Sequence, residues 1–102
     1  MKEHNKLIRD YIPQIIEANG GKAKIRTLSD EEYTRCLESK LDEEVGEYHL
    51  DKTVEELADI LEVVYALAAT LGCSREELER IYQEKHHMRG GFEKRLFLIS
   101  TE

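Results

Sequence analysis

The stretch EEVGEYHLDKTVEELAD, residues 43–59, decides how this chain folds. It carries seven acidic residues in seventeen, yet it sits between two runs with helical apolar periodicity. Its middle reads "HLDK" and then "TVEE". The second is a helix start: a threonine hydroxyl can accept from an orphan backbone N–H, and the acid three residues on can reach back. The same signature recurs as "SDEE" at Ser29 and Glu32, and as "SREE" at Ser74 and Glu77. Three capping boxes therefore predict helices over about 30–50, 54–71 and 75–89, with Gly72 in the left-handed conformation that ends the second. Before them, Pro13 suits the first turn of a short helix that Asn19 and Gly20 stop.

The result is a mainly all-α chain built on an antiparallel helix pair closed by the short "HLDK" turn. Short extended segments are expected near 22–28 ("KAKIRTL") and 95–99, within "FEKRLFLIS". The 102 residues carry no repeat, no low-complexity segment and no linker, so residues 1–102 read as one domain.

Advancing 100° per residue along the first long helix places Tyr33, Leu37, Leu41 and Tyr48 on one apolar arc. Glu44 falls in the middle of that arc and Glu47 at its edge; Glu43 lies further round. The second helix is apolar nearly all round, through Leu57, Ile60, Leu61, Val63, Val64, Leu67 and Leu71, with Glu56 and Asp59 in its first two turns. Folded as a hairpin, the pair brings Glu47 near Glu56 and Glu44 near Asp59. A buried carboxylate is costly without a counter-charge, and only Lys40 and Lys52 lie close in sequence. Two readings stand at this point: a site for a hard divalent cation, with magnesium first and manganese as its substitute, or a solvated face in which Glu56 caps and Glu43 or Glu47 pairs with Lys40 or His49.

Composition narrows the partners. With 15 basic against 22 acidic residues the net charge is -7, which argues against duplex nucleic acid. An anionic small molecule remains compatible when cations screen it. The start "MKEHNKLIRD" lacks the apolar run of a signal peptide, and "ILEVVYALAATL", residues 60–71, is too short to span a bilayer. Cys36 and Cys73 have no metal-ligand spacing and suit a reducing cytoplasm.

The pattern Glu-Glu-x-x-Glu followed by Glu-x-x-Asp resembles the MazG-like all-alpha nucleotide pyrophosphohydrolases. The match is Glu43, Glu44 and Glu47, then Glu56 and Asp59. The ends, "NKLIRDYIPQIIEANG" and "RGGFEKRLFL", look like the phosphoribosyl-ATP pyrophosphohydrolase-like branch, so the resemblance covers almost the whole chain. The interval between Glu47 and Glu56 is shorter than in many relatives. The resemblance implies a helical bundle that hydrolyses a nucleoside triphosphate between the alpha and beta phosphates, giving a monophosphate and pyrophosphate. It implies Glu44, Glu47, Glu56 and Asp59 as magnesium ligands and Glu43, with Glu44, in catalysis. It also directs Asn5, Lys6 and Arg9 toward the substrate.

Phosphate needs positive side chains, and the C-terminal part offers Lys85, Arg89 and Arg95 around Gly90-Gly91-Phe92, with Phe92 able to stack on a base. A helix stop followed by a packed aromatic explains the same residues. The apolar helix from Val54 predicts a homodimer or homotetramer, since so few helices cannot cover it. The alternatives to the triphosphatase are a non-catalytic helical module that binds nucleotide or dimerises, and a phosphoribosyl-ATP pyrophosphohydrolase.

Overall fold

Hydroxyl side chains start the long helices where the sequence sets them. The computed structural model describes residues 2–102 and contains α1 (Ile12–Ala18), α2 (Asp30–Asp51), α3 (Val54–Thr70) and α4 (Arg75–Arg89). At α2 the capping box is complete: Glu32 N–H donates to Ser29 Oγ and Ser29 N–H donates to Glu32 Oε1. Arg26 adds a two-pronged bond to the same carboxylate, at 2.9 and 3.3 Å. Arg26 and then Ser29 hold the Glu32 carboxyl down to about 2. At α3 and α4 the hydroxyls of Thr53 and Ser74 accept from Glu56 and Glu77 N–H, but neither acid returns the bond. The expected three boxes are thus one box and two single caps. Glu56 has turned its carboxyl inward instead, where Oε2 is buried without a partner.

The α3 terminus follows from Gly72. At φ 76° it takes the left-handed conformation, which lets Gly72 N–H donate to the Ala69 carbonyl and Cys73 N–H to the Ala68 carbonyl. These two bonds satisfy carbonyls the helix leaves orphaned. A Cβ at Gly72 would meet nothing within 4 Å, so Gly72→Ala is penalised by backbone conformation alone. The expected loss is about 1 kcal/mol, or a melting temperature about 4–8 °C lower, read by thermal unfolding.

Only Lys52 and Thr53 separate α2 from α3. Lys52 makes the reversal at φ 52°, ψ 45°, its N–H donating to the Tyr48 carbonyl. The helices run antiparallel: Asp30, Tyr33 and Thr34 at the start of α2 share a shallow recess with Ala69 and Thr70 at the end of α3. From α3 the chain swings by 107° into α4. Tyr65 on α3 donates its hydroxyl to Glu79 at 2.9 Å, and the Arg75 guanidinium lies 4.3 Å over the same ring.

Among the described residues there is no strand, so the segments near 22–28 and 95–99, expected to be extended, pair in no sheet. A strand needs a partner for its backbone groups, and neither segment finds one. Residues 92–95 instead form a turn, with Arg95 N–H donating to the Phe92 carbonyl.

The hydrophobic core is Leu37, Val63 and Ala68. Expected burial of α3 on most sides is not met within one copy: Leu57 and Leu61 remain 47% and 46% exposed. Tyr11 and the tail residues Leu96, Phe97, Leu98 and Ile99 are largely bare. The radius of gyration is 18.0 Å, against about 13 Å for a compact domain of 100 residues. The accessible surface is 9571 Å², against roughly 6,000 Å² for a folded monomer of this mass. No single helix among the described residues is long and apolar enough to cross a membrane.

Candidate metal centre

The reversal at Lys52 sets three carboxylates face to face. One oxygen each from Glu44 on α2 and from Glu56 and Asp59 on α3 lie within 4.8 Å of one another. Glu44 is there because it occupies a core position of α2, about two helical turns beyond Leu37 and on the same arc; it is only 7% exposed. Glu56 and Asp59 project together because residues three apart share one side of a helix.

The triad is short of positive charge. Lys40 Nζ stands 3.5 Å from Glu44 Oε1, but Glu44 Oε2 and Glu56 Oε2 are buried and accept no hydrogen bond. Burial pushes the Glu44 carboxyl up, Glu47 adds to this, Lys40 pulls back, and Asp59 pushes further. Burial also raises Glu56, followed by the charges of Glu47, Asp51, Asp59 and Glu44. Buried acceptors without donors are uncommon. Three hard oxygen donors at this separation suit a divalent ion, whose oxygen ligands sit about 2.0–2.6 Å away. The residues therefore fit magnesium or manganese, and they fit no soft, thiolate-seeking ion.

The site differs in part from the expected one. Glu44, Glu56 and Asp59 come together as expected. Glu47 stands outside the triad, half-buried, near enough to bear on Glu44 and Glu56. Glu43 is held by Lys40 at 3.4 Å, the pairing that the solvated-face reading assigned it. Of the substrate candidates, Arg9 alone reaches the site: its Nη2 donates to Asp59 Oδ1 at 2.9 Å, and its Nη1 lies 3.8 Å from Glu62. Asn5 and Lys6 make no such bond. Lys85, Arg89, Phe92 and Arg95 lie on the end of α4 and in the tail, all exposed, and no hydrogen bond or ion pair ties them to the triad. Glu62 was not anticipated. It sits one turn beyond Asp59 on α3, and that i, i+3 relation is the signal that marks it.

Comparison with known proteins adds one partial relative. An uncharacterized protein of Mycolicibacterium smegmatis (strain ATCC 700084 / mc(2)155) is 58% identical over 41 residues, 40% of this chain and 42% of that protein. The chain thus spans less than half the length of the relative it matches. No protein-family profile matches the chain, and no solved structure matches it.

Proposed function

We propose that this chain is a MazG-like, magnesium-dependent nucleotide pyrophosphohydrolase of the phosphoribosyl-ATP pyrophosphohydrolase-like branch, converting a nucleoside triphosphate to a monophosphate and pyrophosphate. The observation that carries the reading is Glu44. A nearly fully buried carboxylate with one oxygen unpartnered, facing two further carboxylates, is costly in an apolar core and economical around a cation.

Glu44, Glu56 and Asp59 would hold the ion, with Glu47 beside them. Bound there, magnesium would stabilise charge on phosphate oxygens and acidify a water. The chain's own contribution is to orient and exclude. The triad fixes three oxygens on rigid helices, while the Leu37 arc keeps solvent from one side. Glu43 can take a proton only after Lys40 releases it. Glu47 is in no ion pair among the described residues, which makes it the better acceptor for the proton of an attacking water.

The working state is a homodimer or homotetramer in a reducing cytoplasm, where Cys36 and Cys73 stay free. Its support is the surface left by one copy, an excess of roughly 3,600 Å² over a compact monomer of equal mass. Obligate interfaces bury areas of that order.

A panel of nucleoside triphosphates and phosphoribosyl-ATP, with and without magnesium, tests the reading. Pyrophosphate release is expected with magnesium, none with chelator, and at least about 100-fold less from Asp59→Ala with its helical content intact. No release from any substrate would sink it. Magnesium-dependent nucleotide binding without turnover selects the non-catalytic module, which the bare apolar surface also suits.

A further inference from the structure

Arg9 is fifty residues from Asp59 in sequence, yet its guanidinium sits on one of the three carboxylates of the triad. The segment carrying it has few polar contacts with the helix pair. Helix α1 packs against no other helix. Among the described residues, the side-chain hydrogen bond and ion pairs of Arg9 are the only ones that join residues 2–25 to the helix pair. Both partners of the pair are roughly half exposed, so exchange with solvent ions is open to them.

We infer that Arg9 is a resident counter-ion of the acidic centre, exchanged for a divalent cation when one binds, and that the guanidinium so freed becomes a ligand for substrate phosphate. This rests on the metal-site reading above. Three carboxylates within 4.8 Å demand positive charge. Without a divalent ion, Arg9 at Asp59 and Lys40 at Glu44 supply it. A divalent ion accepted by the triad competes for the same Asp59 carboxylate and repels a guanidinium at that distance. Once displaced, the planar fork matches two oxygens of a phosphate. Cation binding and release of the amino-terminal segment are then one event, and the segment is loosened when the anionic substrate arrives.

The test uses the full chain, manganese alone and no nucleotide. Calorimetry and the electron paramagnetic resonance of free manganese should show Arg9→Ala binding the ion about two- to five-fold more tightly than the parent, the worth of one half-exposed ion pair. Lys24→Ala removes an exposed charge that is in no ion pair among the described residues and should leave the affinity unchanged. In the parent, manganese should accelerate amide hydrogen exchange over residues 6–12; in Arg9→Ala that exchange should be fast from the start. Equal or weaker manganese binding by Arg9→Ala overturns the exchange and leaves the metal site standing. So does a gain of the same size in Lys24→Ala, and so does an exchange rate in the parent that manganese does not alter. Manganese binding by neither protein overturns both.

Discussion

Replacing Glu44 by glutamine is expected to raise the melting temperature of the cation-free protein while erasing its response to magnesium. The parent carboxylate is buried, one oxygen has no donor, and Glu47 and Asp59 repel it. Glutamine keeps the shape, removes the charge and brings an amide donor toward the Glu56 carboxylate, whose Oε2 lacks one. A buried unsatisfied acceptor costs about 1–3 kcal/mol, and each kcal/mol is worth about 4–8 °C in a domain of this size. The expected gain is several degrees in chelator at pH 7.5. The sign with pH follows from the direction of the shift. The folded carboxyl lies above its unfolded value, so the native state binds the extra proton and loses stability as pH rises through the folded value. Lowering the pH toward 5 should therefore narrow the difference between variant and parent. Scanning calorimetry with and without magnesium reads both effects. A glutamine variant less stable than the parent in chelator would mean that Glu44 stabilises the cation-free fold.

The second large effect is expected at Leu57 and Leu61. They lie one helical turn apart on α3, each about half exposed in a single copy. A two-fold interface uses each residue twice. Glutamate at both positions places four charges where four leucine surfaces would be buried. With full burial of a leucine worth about 1.5–3 kcal/mol, losing the remaining half of each burial weakens association at least about 100-fold. Sedimentation at micromolar concentration should find the parent as a dimer or larger and the double variant as a monomer. Because so little of the core is supplied by one chain, with Leu37, Val63 and Ala68 the only buried apolar residues among those described, the variant should also melt earlier and less sharply. A parent that sediments as a monomer would contradict the oligomer.

The helices were legible because their determinants are local. Ser29, Thr53, Ser74 and Gly72 set ends that differ from expectation by one residue at most, since a cap depends on side chains within three positions. The meeting of Glu44 with Asp59 was legible for a related reason: helical period and a short turn fix it. What escaped was set by tertiary direction. That Glu56 leaves its cap, that Glu47 stands back from the triad, and that Arg9 crosses to Asp59 depend on rotamers and on a segment fifty residues away. The unpaired segments at 22–28 and 95–99 escaped because alternation speaks to one residue's neighbours and says nothing of whether a partner strand exists.

The two-residue reversal at Lys52 also sets the order of events during folding. Glu44, Glu56 and Asp59 are gathered by a hairpin whose contacts are all close in sequence. Helical topologies with such short loops fold in microseconds to milliseconds, and closing the loop costs little chain entropy. The cluster of like charges is therefore expected to form early, in the single chain, before any association through α3. In the proposed oligomer the slow step would then be bimolecular, so refolding is expected to slow with dilution while the helix signal recovers at once.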